Sequence, residues 1–127
     1  MRALRRLVLA VLALAVVAPA LAPAAAITVG TVVPTTAERV AILKAFGDPK
    51  RAWPCLIARL AVSNHNYATV RFRPTRTCGR WAFNGVNVLR RARSDRWRFV
   101  FEGSAYQCPL RRIPRQVQRD LGICDRA

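Results

Sequence analysis

Acidic side chains and histidine are the scarce parts of this sequence. Its 127 residues carry 6 Asp and Glu and a single His against 22 Lys and Arg. So few proton-transfer groups leave little from which to build an acid–base active site. Lysine is almost missing too. Only Lys44 and Lys50 are present, so 20 of the 22 cations are arginine. A GC-biased genome produces the same skew, and the charge acquires meaning only from where the guanidinium groups lie.

Other absences narrow the chemistry further. The four cysteines, Cys55, Cys78, Cys108 and Cys124, contain no C-x-x-C pair, and His65 stands in no metal-ligand spacing, which argues against a zinc site or any resident metal. Ser63, Ser94 and Ser104 lack the G-x-S-x-G elbow of serine hydrolases. His65 lies between Asn64 and Asn66 in an expected loop with no carboxylate near it in sequence. Glu102 reads as a charge partner for neighbouring arginines. No internal repeat or low-complexity tract interrupts the chain. The expectation is a protein that is not an enzyme and carries neither cofactor nor metal.

What is present begins with an N-terminal address. Arg2, Arg5 and Arg6 precede an unbroken apolar run from Leu7 to Val17, Pro19 breaks it, and Ala24-Ala25-Ala26 supplies small residues for processing. Residues 1 to 26 therefore read as a secretory signal peptide cleaved after Ala26, leaving 27 to 127 as one small extracytoplasmic domain. An uncleaved anchor is the alternative, but Pro19 and Pro23 interrupt the helix of about 20 residues that a membrane span requires. No span is expected in the mature chain. Subtracting the three leader arginines from 22 leaves 19 basic against 6 acidic side chains, a formal charge of +13.

A domain of about 100 residues outside the cytoplasm commonly gains stability from disulfides. Four cysteines allow three pairings. Alternation of apolar and polar residues from Leu56 to Ser63 and again from Tyr67 to Arg73 indicates two strands joined at Asn64-His65-Asn66. Folding the chain back there brings Cys55 opposite Thr75 to Cys78, which favours Cys55 with Cys78 and leaves Cys108 with Cys124.

The remaining pattern gives an α+β fold: a small antiparallel β-meander packed against one N-terminal helix and a short C-terminal helix. Thr35-Thr36-Ala37-Glu38 has capping-box form, Gly47 with Asp48-Pro49 ends the helix, and Val40, Leu43 and Phe46 line one side. Ile27 to Val33 is an edge strand or an extended arm. Asn84-Gly85 signals a tight hairpin with Phe83 opposite Val86 and Trp81 opposite Val88. A turn at Ser94-Asp95 pairs Arg93 with Arg96, Ala92 with Trp97, Arg90 with Phe99 and Val88 with Phe101. One apolar face then holds Leu56, Leu60, Val62, Val70, Phe72, Trp81, Phe83, Val86, Val88, Trp97, Phe99 and Phe101. Pro114 begins the last helix, Val117 and Leu121 share a side, and Gly122 with Ile123 suits a left-handed cap.

Under this alternation Arg59, Arg71, Arg73, Arg91, Arg93, Arg96 and Arg98 share the opposite, water-facing side of the sheet, with Tyr67, Thr69 and Asn87 among them. Guanidinium forks grip phosphate, sulfate or carboxylate in two places, and an aromatic ring such as Tyr67 offers a stacking surface. The sequence therefore points to binding of an acidic polymer, whether nucleic acid, teichoic acid or acidic polysaccharide. The plainer alternative is a set of solvated strand residues that discourage edge pairing.

Two resemblances bear on function. A helix followed by an antiparallel meander is similar in outline to cystatin-like folds, which implies a wedge formed by Asn64-His65-Asn66 and the arm from Ile27 to Pro34, and with it a protein partner. The chain lacks the Q-x-V-x-G hairpin of that family. Glu102, His65 and Arg98 superficially resemble the set used by small secreted microbial ribonucleases. There the histidine follows the glutamate, whereas here it precedes it, so no catalytic roles carry over.

Overall fold

The structure, a computed structural model, describes residues 29–124. The expected leader lies outside the described residues. Five strands, β1 (Thr31–Val32), β2 (Leu56–Ala61), β3 (Tyr67–Phe72), β4 (Val86–Arg91) and β5 (Trp97–Gly103), form one antiparallel sheet in sequence order. Helix α1 (Thr36–Phe46) connects β1 to β2, and α2 (Arg115–Asp120) follows β5. Two short 3₁₀ helices, Lys50–Cys55 and Arg76–Trp81, flank the β2–β3 hairpin. Disulfides join Cys55 to Cys78 and Cys108 to Cys124.

Helix α1 begins as its sequence dictates. The Thr35 hydroxyl accepts from the Glu38 amide at 3.3 Å, and Glu38 Oε2 accepts from the Thr35 amide at 2.9 Å, satisfying two helix-end donors reciprocally. Gly47 closes the helix at φ 92°, its amide donating to Leu43. The inward stripe differs from expectation. Ile42 and Leu43 are fully buried and Phe46 packs beside them, while Val40 stays half-exposed. Positions 39, 42, 43 and 46 follow the helical period more closely, and Arg39 uses its place to donate to the Trp53 carbonyl at 2.9 Å.

The sheet is covered on both faces, and this overturns the expected arrangement of apolar and cationic sides. Leu56, Ala58, Leu60, Ala68, Val70, Leu89 and Trp97 pack under α1. Ala61, Tyr67 and Val88, with Val86 and Phe101 at the margin, face the C-terminal segment through Ile113, Val117, Leu121 and Ile123. The two helices therefore lie on opposite sides, and Tyr67, Thr69 and Asn87 are buried instead of facing water.

Helix α2 is short, so its stability comes from ends and packing. Gly122 at φ 65° lets its amide reach Arg119 and the Ile123 amide reach Gln118, the double bond of a Schellman stop. Buried Gln118 ties down the irregular chain ahead of the helix, accepting from the Leu110 amide and donating to the Leu110 and Ile113 carbonyls. Asp120 accepts from the Ser63 amide at 2.8 Å, from Gln116 at 3.0 Å and from the Gly30 amide at 3.4 Å. One carboxylate thus links α2 to the β1 side of the sheet.

The connection from β3 to β4 is no tight hairpin. The disulfide to Cys55 draws Cys78 into the second 3₁₀ helix, so Trp81 and Phe83 never pair with Val88 and Val86. Gly85 answers a different need, since a Cβ there would meet the Gly103 carbonyl oxygen at 3.2 Å. Only Tyr67↔Arg90 and Ala68↔Leu89 pair β3 with β4. Beyond them the Asn87 amide takes the place of a strand, accepting from the Val70 amide at 2.8 Å and donating to its carbonyl at 2.7 Å. Replacing Asn87 by Ala leaves both buried groups unpaired and is expected to cost at least about 2 kcal/mol in urea unfolding. An unchanged midpoint would contradict this role.

Candidate anion-binding site at the hairpin end

The β4–β5 turn sets the positions of the arginines. Ala92 donates to the Arg96 carbonyl at 2.8 Å and Asp95 donates to the Ala92 carbonyl at 3.0 Å, with Asp95 at φ 56°. This is a three-residue loop, Arg93-Ser94-Asp95, in place of the expected two-residue turn. The extra residue shifts the register near the tip, so Arg91 pairs with Trp97, Arg90 with Arg98 and Leu89 with Phe99. A bulge that leaves Val100 without a partner then restores Val88↔Phe101. The shift carries Leu89 under α1 and turns Arg90 and Arg98 to the other side.

Arg90 was concealed by the expected pairing with Phe99. An arginine inside an otherwise apolar alternation, together with an Asp that tolerates the left-handed region, was the sequence signal for the altered register. In the structure Arg90 is exposed and lies across from Arg98, and its guanidinium carbon is 5.7 Å from the Tyr67 ring centroid. Tyr67 is only 5% exposed. It supports Arg90 and offers no free stacking face.

The β2–β3 and β4–β5 turns lie at the same end of the meander and enclose a polar cleft of about 380 Å³ lined by Asn64, Asn66, Arg90, Arg91, Arg93 and Asp95. A second hollow beside it is lined by Arg90, Arg93 and Arg98. Because Arg90 and Arg93 border both, the guanidinium groups form a continuous cationic strip around the hairpin end.

Arg91 has a different duty. It points to the α1 side, donates through Nε to Asn66 at 3.0 Å, approaches Glu38 at 3.5 Å and stands 5.8 Å from the Trp97 ring centroid. This is the one ion pair among the described residues. Hydrogen bonds from Thr35 hold the Glu38 carboxyl below the usual carboxylate range, with further help from Arg91 and His65.

The seven arginines expected on one wall therefore divide into groups. Arg93, Arg96 and Arg98 gather at the hairpin end with Arg90, while Arg91 lies on the other side of that end. Arg59 and Arg71 border the end of α2, where Arg71 Nη2 donates to the Leu121 carbonyl at 2.6 Å. Arg73 lies at the far end of β3 and donates to the Pro54 carbonyl at 3.0 Å. The wall failed to form because the C-terminal segment occupies the second sheet face.

His65 and Glu102 do not converge. Glu102 faces Asn87 toward the start of β4, whereas His65 lies in the turn beside the opposite end, near Glu38. No cluster of His, Cys, Asp or Glu suited to a metal occurs among the described residues, and no described helix is long and apolar enough to cross a membrane. No family, curated protein or solved structure matches the chain.

Proposed function

We propose that the protein is a non-enzymatic binding module that works outside the cytoplasm after loss of its leader, gripping acidic polymers with the arginines of its hairpin end. The observation that carries this reading is the opposition of Arg90 and Arg98 across β4 and β5, with no carboxylate among the described residues at ion-pair distance from either. Like charges facing across a sheet destabilise it, and phosphate, sulfate or carboxylate groups on a polymer relieve that repulsion. Arg93 and Arg96 widen the target. Of the nearby acids, Glu38 caps α1 and Asp120 is turned inward, and Asp95 in the hairpin loop is a single carboxylate among Arg90, Arg93, Arg96 and Arg98 and forms no ion pair with a described residue. Two disulfides support the extracytoplasmic assignment.

The test is affinity for DNA, teichoic acid and a sulfated polysaccharide as salt is raised. Binding is expected to weaken steeply, and charge reversal at Arg93 and Arg98 together should reduce the salt slope on DNA by about 2, one for each lost phosphate contact. Failure to bind any of the three polymers at low salt would overturn the reading. Salt-insensitive capture of a single protein would replace it with the partner-binding alternative at the arm and the Asn64-His65-Asn66 loop.

A further inference from the structure

The other end of the sheet carries an aromatic group that the fold does not use. Trp53 packs against the α1 core and Trp97 lies within it, but Trp81 belongs to neither core. It ends the second 3₁₀ helix, half-exposed, with the guanidinium carbons of Arg51 and Arg80 at 5.5 and 5.4 Å from its ring centroid. Arg51 comes from the first 3₁₀ helix and Arg80 from the second, and the Cys55–Cys78 bond holds the two together. Exposed Arg73 and Arg76 extend the charge, with Arg73 steadied on Pro54.

We infer that Trp81, Arg51 and Arg80 form a second site, separate from the hairpin end, that binds single-stranded nucleic acid: an unpaired base stacks on the half-exposed indole as the exposed guanidinium groups that lie over the ring swing aside to hold the flanking phosphates. Both parts of that ligand are needed to use what is present. Polyphosphate engages the cations and leaves the ring idle, and duplex DNA keeps its bases stacked out of reach. A lipid surface fits poorly, because the ring is half-buried and its near neighbours are charged, so no apolar prominence stands ready for insertion. Base stacking on an aromatic side chain with arginines alongside is a sequence-tolerant way to hold a single strand.

The experiment titrates a dye-labelled oligothymidylate with the oxidised protein, reading anisotropy for every variant and tryptophan emission for proteins that keep Trp81, with polyphosphate, a sulfated polysaccharide, duplex DNA and anionic phospholipid vesicles as comparison probes. The oligothymidylate is expected to quench the emission. Trp81→Ala should weaken its binding about tenfold or more, Trp81→Phe should keep most of the affinity, and binding of polyphosphate and duplex should change little. Because Trp81 lies outside both cores, circular dichroism and disulfide content should remain those of the parent. The inference falls if Trp81→Ala leaves oligothymidylate binding unchanged, if it weakens every polyanion equally, or if only vesicles alter the emission. The two sites are distinguished by Arg93→Glu with Arg98→Glu: loss of polysaccharide binding with retained oligothymidylate quenching supports both, whereas loss of the quenching itself overturns the separate site.

Discussion

Replacing Cys108 and Cys124 together by serine is expected to lower the free energy of unfolding by about 3 kcal/mol, the chain-entropy value for a loop of this size. The bond spans 16 residues and closes the segment that covers the second face of the sheet. Cys124 is itself buried in that core, beside Ile123 and Leu121. Without the link, the irregular chain from Ser104 to Pro114 must be ordered by Gln118, by the Tyr106 hydroxyl donating to the Ile123 carbonyl at 3.2 Å, and by packing on Val88 and Phe101. Urea unfolding gives the loss, and amide hydrogen exchange should show α2 opening before the strands under α1. An unchanged midpoint, or uniform exchange through both layers, would refute the expectation.

Asp120→Ala is expected to have a comparable effect, about 3 kcal/mol, because hydrogen bonds to a charged group are worth more than neutral ones and their buried donors would lose a partner. The residue is only 4% exposed and accepts from Ser63, Gln116 and Gly30. Burial pushes its carboxyl up, but the hydrogen bonds from Ser63, Gln116 and Gly30 outweigh that and leave it below the usual range. Glu38 is displaced in the same direction by Thr35. For both groups the unfolded chain holds its proton more tightly than the folded one. Their stabilisation is therefore complete above the ordinary carboxylate range near pH 4, and it is lost as pH falls through the lowered folded values. Thermal melts between about pH 2 and 6 should show this decline. Asp120→Asn should flatten part of it, whereas an identical pH profile would mean that Asp120 does not titrate with folding.

Several elements were legible because their causes are local. Thr35 and Glu38 satisfy each other within one helical turn, Gly47 and Gly122 supply left-handed stops, and the alternation from Leu56 through Phe72 produces a hairpin whose return brings Cys55 to Cys78. That hairpin also justified the second disulfide by elimination. The antiparallel meander was legible as well, although the tight hairpin expected at Asn84-Gly85 did not form and the β4–β5 turn is one residue longer than expected.

The hairpin-end site was legible only in part. Alternation picks out Arg91, Arg93, Arg96 and Arg98, but the pairing that joins Arg90 to Arg98 differs from the expected one by a single loop residue. In a strand a one-residue slip exchanges the faces, so one extra residue in the Arg93-Ser94-Asp95 loop decided whether Arg90 met Phe99 or Arg98. Tyr67 departs from the expectation for another reason, being buried. Alternation sets it on the face opposite Ala68 and Val70, as in the structure, but a strand pattern does not say whether the second side meets water or another layer.

The sequence by itself determined the α+β composition, the helix ends, the first hairpin and the cationic excess, since each depends on neighbours in the chain or on simple return of a strand, and it favoured the two cystine pairings that the structure shows. Only the tertiary structure decided that the C-terminal segment covers the second sheet face, that Asn87 fills the gap between β3 and β4, and that the arginines part into separate groups. Those outcomes depend on which apolar surfaces find one another across long stretches of chain, and alternation along one strand carries no record of what will be packed on its far side.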